Sequence, residues 1–165
     1  MKPIAEARMD DGVAQGLVHA LRSRLPFEAC GVITGTAASG GIEASGFRLI
    51  RNAADQPTTR FSFHPEDWIA AFFEAQKNQR EIVGFFHSHP SGTIVPSKSD
   101  LAGFIPWKTY WIVGLSEGDY EIGVFLRQPG ERWAKLPLRI VNAGLSKRTA
   151  LPESSLAGPK SASET

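Results

Sequence analysis

Two histidines separated by a single residue, His87 and His89, close the apolar run Ile82-Val83-Gly84-Phe85-Phe86 and stand directly before Pro90. A short apolar run with charge just upstream suits a strand buried in a sheet. Side chains two apart leave the same face of such a strand, so both imidazoles can reach one point while Ser88 turns the other way. The stretch from Pro90 to Pro96 is rich in breakers and ends at Ser97-Lys98-Ser99-Asp100, which can cap and open a helix running through Leu101 and Phe104. The fold must therefore set the end of a buried strand beside a returning acidic helix start.

That juxtaposition has a chemical meaning. A catalytic Zn²⁺ usually takes three protein ligands from His, Asp, Glu or Cys and keeps a further position for water, and His87, His89 and Asp100 supply three. Isolated histidines are more often packed or exposed than metal-bound, and Ser-x-x-Asp is a common capping pattern by itself. The conjunction decides: the chain has four histidines, and two of them fall together at a strand end before an acidic helix start.

His-x-His, seven residues, Ser, two residues, Asp resembles the signature of the JAMM (MPN-plus) zinc metallopeptidases, filled here by His87, His89, Ser97 and Asp100. Prokaryotic members often carry a glutamate in a Pro-x-Glu-x-Cys-Gly setting, and Pro26-Phe27-Glu28-Ala29-Cys30-Gly31 is similar. The two pieces lie far apart in the chain, so their joint occurrence is more specific than either short pattern. The resemblance spans Asp10 to Leu126. It implies a mixed α/β single domain with a curved mixed sheet flanked by helices, similar to cytidine deaminases, over residues 1–142. It also implies one zinc ion with a bound water, held by His87, His89 and Asp100. Such an ion lowers the pKa of bound water from about 15.7 toward 7 and polarises a carbonyl. Glu28 is then the general base and later the general acid rather than a ligand, and Ser97 the donor to the tetrahedral oxyanion. Helix capping is the competing role for Ser97, and a surface or ion-paired carboxylate the competing role for Glu28. In relatives of this kind an asparagine and a Phe-x-x-Asp/His-Pro segment border the cleft. Asn52 and Phe61-Ser62-Phe63-His64-Pro65 look similar, which makes Asn52, Phe61 and Phe63 candidates for substrate contact.

Other candidates are set aside. Cys30 reads as a buried small hydrophobe rather than a nucleophile or ligand. His19 belongs to a helix and His64 immediately precedes a helix-opening proline, so both read as structural. Neither a glycine-rich phosphate loop nor a repeat of solenoid length is visible, which leaves nucleotide cofactors without support.

The remaining chain is consistent with one compact domain. Its 165 residues are 42% hydrophobic, enough for a sizeable core. Eighteen basic and seventeen acidic side chains leave a formal charge of +1, so no global field draws nucleic acid or anionic membrane. No secretion signal or membrane-spanning run is apparent and the single cysteine forms no internal disulfide, so the expected compartment is the cytoplasm. Val13, Leu17, Val18, Leu21 and Leu25 after Asp10-Asp11 predict an amphipathic helix. Strands are expected over Ala29 to Thr36, Ile42 to Arg51, Thr109 to Leu115, Tyr120 to Arg127 and Trp133 to Val141. Pro65 should open a helix from Glu66 through Lys77 with Trp68, Ile69, Phe72 and Phe73 as its apolar stripe. Residues 143–165, poor in large apolar groups, are expected to form a flexible tail.

Three functions compete. The first is a zinc peptidase or isopeptidase hydrolysing an amide at the C-terminal Gly-Gly tail of a ubiquitin-like or sulfur-carrier protein, a substrate class implied by the resemblance. A flexible tail of that kind can thread a narrow cleft and add a strand to an edge. The second is a non-catalytic MPN-like interaction module, against which the full residue set argues. The third is a RadC-like protein associated with DNA repair, which lacks support in the balanced charge and the absence of a helix-hairpin-helix region.

Overall fold

The computed structural model describes residues 2–98, 100 and 106–142. The expected helix through Leu101 and Phe104 and the expected tail 143–165 lie outside the described residues. The chain runs β1 (Glu6–Asp10), α1 (Asp11–Arg22), β2 (Cys30–Ala38), β3 (Gly41–Ile50), α2 (Pro65–Lys77), β4 (Glu81–His89), β5 (Tyr110–Ser116), β6 (Asp119–Gln128), β7 (Arg132–Leu136) and β8 (Leu138–Val141). The strands form one mixed sheet in the order β7-β6-β5-β4-β2-β3-β1-β8. The mixed α/β architecture agrees with expectation.

Tight turns set the hairpins. β2 and β3 join through Ser39 and Gly40, both at positive φ, and β5 and β6 through Gly118, also at positive φ. With positive φ at both central residues, the Ser39-Gly40 turn has the hand that matches the twist of the strands it connects. β4 and β5 pair in parallel, as do β1 with β3 and β1 with β8.

Two differences from the sequence reading concern strands. Glu6–Asp10, rich in charge, forms β1, whose alternation puts Ala7 and Met9 fully inside while Glu6 and Arg8 stay outside. The stretch from Trp133 to Val141 is two strands instead of one. Pro137 has no N–H to offer a ladder, and there the chain leaves β6, to which β7 is paired, and passes to β1, to which β8 is paired. The Ala7 N–H donates to the Pro137 carbonyl at 3.0 Å. The sheet is therefore coiled so far that its first and last strands in spatial order are neighbours through one residue.

The core lies on both faces. On one, Ala14, Leu17, Val18 and Leu21 of α1 meet Val83, Phe86, Trp111 and Val113. On the other, Ala71 and Ala75 of α2 meet Val32, Ile82 and Phe85. The expected stripe of α2 is thus corrected: the helix docks on its two alanines, whose small side chains allow close approach. Trp68 and Phe72 are half-buried at the flank, while Ile69 and Phe73 are exposed.

A bulge in β4 sets the site. Ile33 pairs with Gly84 and Thr34 with Ile82, so Val83 is an extra residue and the inward–outward parity changes across it. Ile82 and Phe85, three apart, consequently share the α2 face, and His87 and His89 continue the Phe85 face at period two. Without the extra residue the histidines would follow the opposite parity.

Candidate metal centre

The histidines lie within β4 itself, one strand away from where β2 begins. Cys30 pairs with His87 in the ladder, and Glu28 stands two residues before it, so the edge of the β2–β4 pairing delivers Glu28 next to both imidazoles. Ser88, fully buried on the other face, clamps this approach: its N–H donates to the Ala29 carbonyl at 2.9 Å, and its hydroxyl accepts from the Ala29 N–H at 2.9 Å. The loop after His89 brings Asp100 back. Its approach is fixed by a reciprocal pair, the Ser97 N–H donating to Asp100 Oδ2 at 2.8 Å and the Asp100 N–H to Ser97 Oγ at 3.1 Å. This is the capping-box pattern with aspartate in the acidic role. The Ser97 hydroxyl keeps its own hydrogen to donate.

Among the described residues, Glu28, His87, His89 and Asp100 each offer a ligand atom, and these atoms lie within 4.8 Å of one another. The two Nε2 atoms are 3.0 Å apart, and Asp100 reaches His87 at 3.1 Å and His89 at 3.3 Å through separate carboxylate oxygens. Ligands at 2.0–2.2 Å from a tetrahedral ion stand roughly 3.3–3.6 Å from one another, close to these separations. The His89 Nδ1 faces the Thr93 carbonyl at 3.0 Å. That contact places the hydrogen on Nδ1 and leaves Nε2 as a lone-pair donor, the arrangement that outer partners give to metal-binding histidines. Phe61 stacks on the His87 ring at 4.3 Å between centroids. Glu28 Oε1 is buried and has no hydrogen-bond partner. An uncompensated buried carboxylate oxygen beside two imidazoles and a second carboxylate fits a cation or a water held by one.

The electrostatics agree. Burial pushes the Glu28 carboxyl up to about 7; His89 opposes that rise and Asp100 adds to it. Burial would also raise Asp100, but hydrogen bonds from both imidazoles outweigh it and hold this carboxyl well below the usual carboxylate range. Burial depresses the His87 imidazole, with Asp100 acting the other way. For His89 burial again acts downward, yet Asp100, Glu28 and the Thr93 carbonyl carry the net shift upward. One carboxylate is thus held charged against the histidines, while the other sits near the point of exchanging a proton at neutral pH.

The remaining candidates fall around this cluster. Phe61 and Phe63 line an apolar cavity that also touches His87 and Asp100. Asn52 spends its whole side chain on main chain: Nδ2 donates to the Glu28 and Arg60 carbonyls, both at 2.8 Å, and Oδ1 accepts from the Ala54 and Ser62 N–H groups, both at 3.0 Å. Cys30 is buried, with its thiol pushed up to about 12 by burial and directed at the Ile50 carbonyl. His64 caps α2, accepting from the Asp67 N–H at 3.4 Å. Thr93 and Ser88, neither given a role at the site by the sequence, contribute through a carbonyl and through a cross-strand hydroxyl. A side chain between two same-face histidines must point to the other face, and that parity was the available signal for Ser88. The carbonyl of Thr93 left no signal, because any residue type carries one.

Among the described residues no helix is long and apolar enough to cross a membrane. Comparison with known proteins places these observations. The family of prokaryotic homologs of the JAB domain matches residues 10–127. A desampylase of Pyrococcus furiosus is 36% identical over 74 residues, 45% of this chain and 52% of that protein. A desampylase of Haloferax volcanii is 31% identical over 75 residues, 46% of this chain and 52% of its own length. The tail tip assembly protein K of Escherichia phage N15 is 34% identical over 107 residues, 62% of this chain and 38% of the phage protein. The chain thus spans about half the length, or less, of the curated relatives it matches. A solution structure of a protein from Desulfitobacterium hafniense superposes with a TM-score of 0.74 at 23% identity, covering 82% of this chain and 93% of the other. One from Salinibacter ruber gives 0.60 at 26% identity over 87% and 93%. With its bulged strand, its converging histidines and carboxylates and a match over most of its length, the chain belongs to the prokaryotic JAB family, the JAMM-type group that its paired motifs resemble.

Proposed function

We propose that the chain is a zinc-dependent peptidase or isopeptidase acting on an amide at the C-terminal Gly-Gly tail of a ubiquitin-like or sulfur-carrier protein. One observation supports hydrolysis above all: a buried, unpartnered Glu28 oxygen aimed into the cluster of His87, His89 and Asp100. An interaction module has no use for that arrangement, because a buried unsatisfied carboxylate oxygen costs about 1–3 kcal/mol or more. The two relatives named desampylase support the substrate class.

In this reading His87, His89 and Asp100 hold the ion. Two nitrogens and a carboxylate oxygen are donors zinc accepts. When bound, zinc supplies Lewis acidity toward a carbonyl oxygen and toward water. The chain's own groups do the rest. Glu28, near neutrality in its titration, accepts a proton from water as the hydroxyl adds to the carbonyl carbon. It then returns that proton to the departing nitrogen as the C–N bond breaks, so an acid and an amine leave and Glu28 ends as it began. Ser97 donates its hydroxyl hydrogen to the carbonyl oxygen while that oxygen carries developing charge. The Thr93 carbonyl keeps His89 in the tautomer that leaves Nε2 free.

The test combines metal analysis with cleavage of a Gly-Gly-tailed fusion. The wild type should hold one zinc per chain. His89→Ala should lose it. Glu28→Gln should keep it while turnover falls about 10²–10⁴-fold. A purified, folded wild type that takes up no zinc would overturn the assignment. Near wild-type cleavage by Glu28→Gln would remove Glu28 from the role of base.

A further inference from the structure

The cavity beside the cluster has a character that acid–base chemistry does not call for. One wall is His87 and Asp100, and the remainder is almost entirely apolar, built mainly of Phe85, Ile112, Phe125 and Trp133 together with the two phenylalanines already named. Its free volume is about 30 Å³, above the roughly 10–15 Å³ needed to hold one water. Water in so apolar a space lacks the two to four polar partners that hold it, so an apolar group entering there displaces weakly held solvent.

The walls are also preset. Phe85 stacks on Trp107 at 4.9 Å and meets Phe63 edge-on at 5.0 Å; Trp133 meets Tyr110 at 5.1 Å and Phe125 at 6.3 Å. Rings locked against one another lose little freedom when a ligand arrives. The strand-borne walls come from β4, β5, β6 and β7, joined by the segment after β3, so the cavity is built on one half of the sheet. His87 and Asp100 form its floor toward the cluster, so an occupant sits next to whatever bond is cleaved.

We propose that this cavity is a specificity pocket for an apolar side chain on the amine side of the scissile amide. The inference rests on the function proposed above and narrows it. If the acyl side ends in Gly-Gly, the two residues next to the cut bring no side chain, and because the cavity borders His87 and Asp100 the group that fills it belongs to the residue released. The preferred substrate is then an α-peptide extension that begins with an apolar residue, in preference to a lysine Nε isopeptide or an acidic extension. A modest free volume suits a compact aliphatic side chain such as leucine or valine.

The experiment is a series of peptides ending Gly-Gly-X-Ala, with X glycine, aspartate, valine, leucine or phenylalanine, plus one peptide joined through Gly-Gly to a lysine Nε, all given to the zinc-loaded protein. Leucine or valine should exceed glycine, aspartate and the isopeptide by about tenfold or more in kcat/KM, within the range an apolar pocket confers. Phe125→Leu, which enlarges the pocket, should move the optimum toward phenylalanine. Cleavage that is flat across the series, or best for aspartate or the isopeptide, overturns the pocket and leaves the hydrolytic reading standing. No cleavage of any peptide overturns both. A readout independent of turnover uses zinc-loaded Glu28→Gln: the Trp133 indole resonance should shift on binding the leucine peptide and not the aspartate peptide. Equal shifts with both would also overturn the proposal.

Discussion

At the scale of single residues, Asn52 joins two parts of the site that would otherwise be independent. Its amide ties the Glu28 carbonyl to the segment whose Phe61 lies on His87. Asn52→Ala should reduce kcat about tenfold with zinc content unchanged and lower stability by about 1–3 kcal/mol. An altered KM with kcat preserved would instead indicate direct substrate contact. Titration offers a second check. The upward shift of His89 means that a proton competes with the metal for Nε2, so apparent zinc affinity should weaken as pH falls through the imidazole range, with proton release on binding visible by calorimetry. Glu28 accepts a proton only when ionised. Its carboxyl lies at about 7 before a cation draws it lower, so kcat/KM should rise with pH along an acid limb at or below neutrality. A profile highest at acid pH would contradict its role as base. The two histidines, Asp100, Glu28 and Ser97 were legible because their types and spacings are chemically restrictive. Asn52 was legible only as a border of the cleft, since saturation by four main-chain partners depends on where remote backbone lies.

At the scale of elements, the bulge in β4 governs which face the histidines present. Gly84 follows the extra residue Val83 on the same strand and pairs with Ile33, and a Cβ there would come within 2.5 Å of both Thr109 Oγ1 and Trp111 Nε1. Gly84→Ala should therefore destabilise the domain by about 1–3 kcal/mol, measured by denaturant unfolding, and should weaken zinc binding because β4 must shift. Unchanged affinity in a folded variant would show that the strand's C-terminal half is insulated from its middle. Helices and most strands were readable from periodicity, since burial on one face imposes it. The faces of α2 were misjudged for a physical reason: size suggested that Ile69 and Phe73 face the core, whereas close docking selects Ala71 and Ala75. β1 escaped notice because a five-residue strand with charge at alternate positions resembles a polar leader until its partners are known.

At the scale of the whole molecule, the cluster draws on the segment entering β2, on β4 and on the return loop, and the cavity draws on the half of the sheet from β4 to β7. An ion that joins Asp100 to β4 crosslinks a loop to the core, so chelation should lower the melting temperature. With zinc at about a hundred times its Kd, linkage gives roughly 2.7 kcal/mol, which corresponds to about 5–10 °C for a domain of this size. A melting temperature indifferent to chelator would mean that the loop gains nothing from the ion. The sheet order was not legible in the sequence, because long-range pairing leaves no local periodic trace.

The passage at Pro137 carries a consequence for biosynthesis. Residues near the beginning of the chain form a strand whose second neighbour is residues 138–141. A nascent chain leaving the ribosome must therefore hold Glu6–Asp10 with one flank unoccupied until almost the entire domain has been translated. During that interval the bare flank is exposed to whatever extended peptide is nearby. Arg8 and Glu6, charges at its outward positions, stand as guards against such premature pairing.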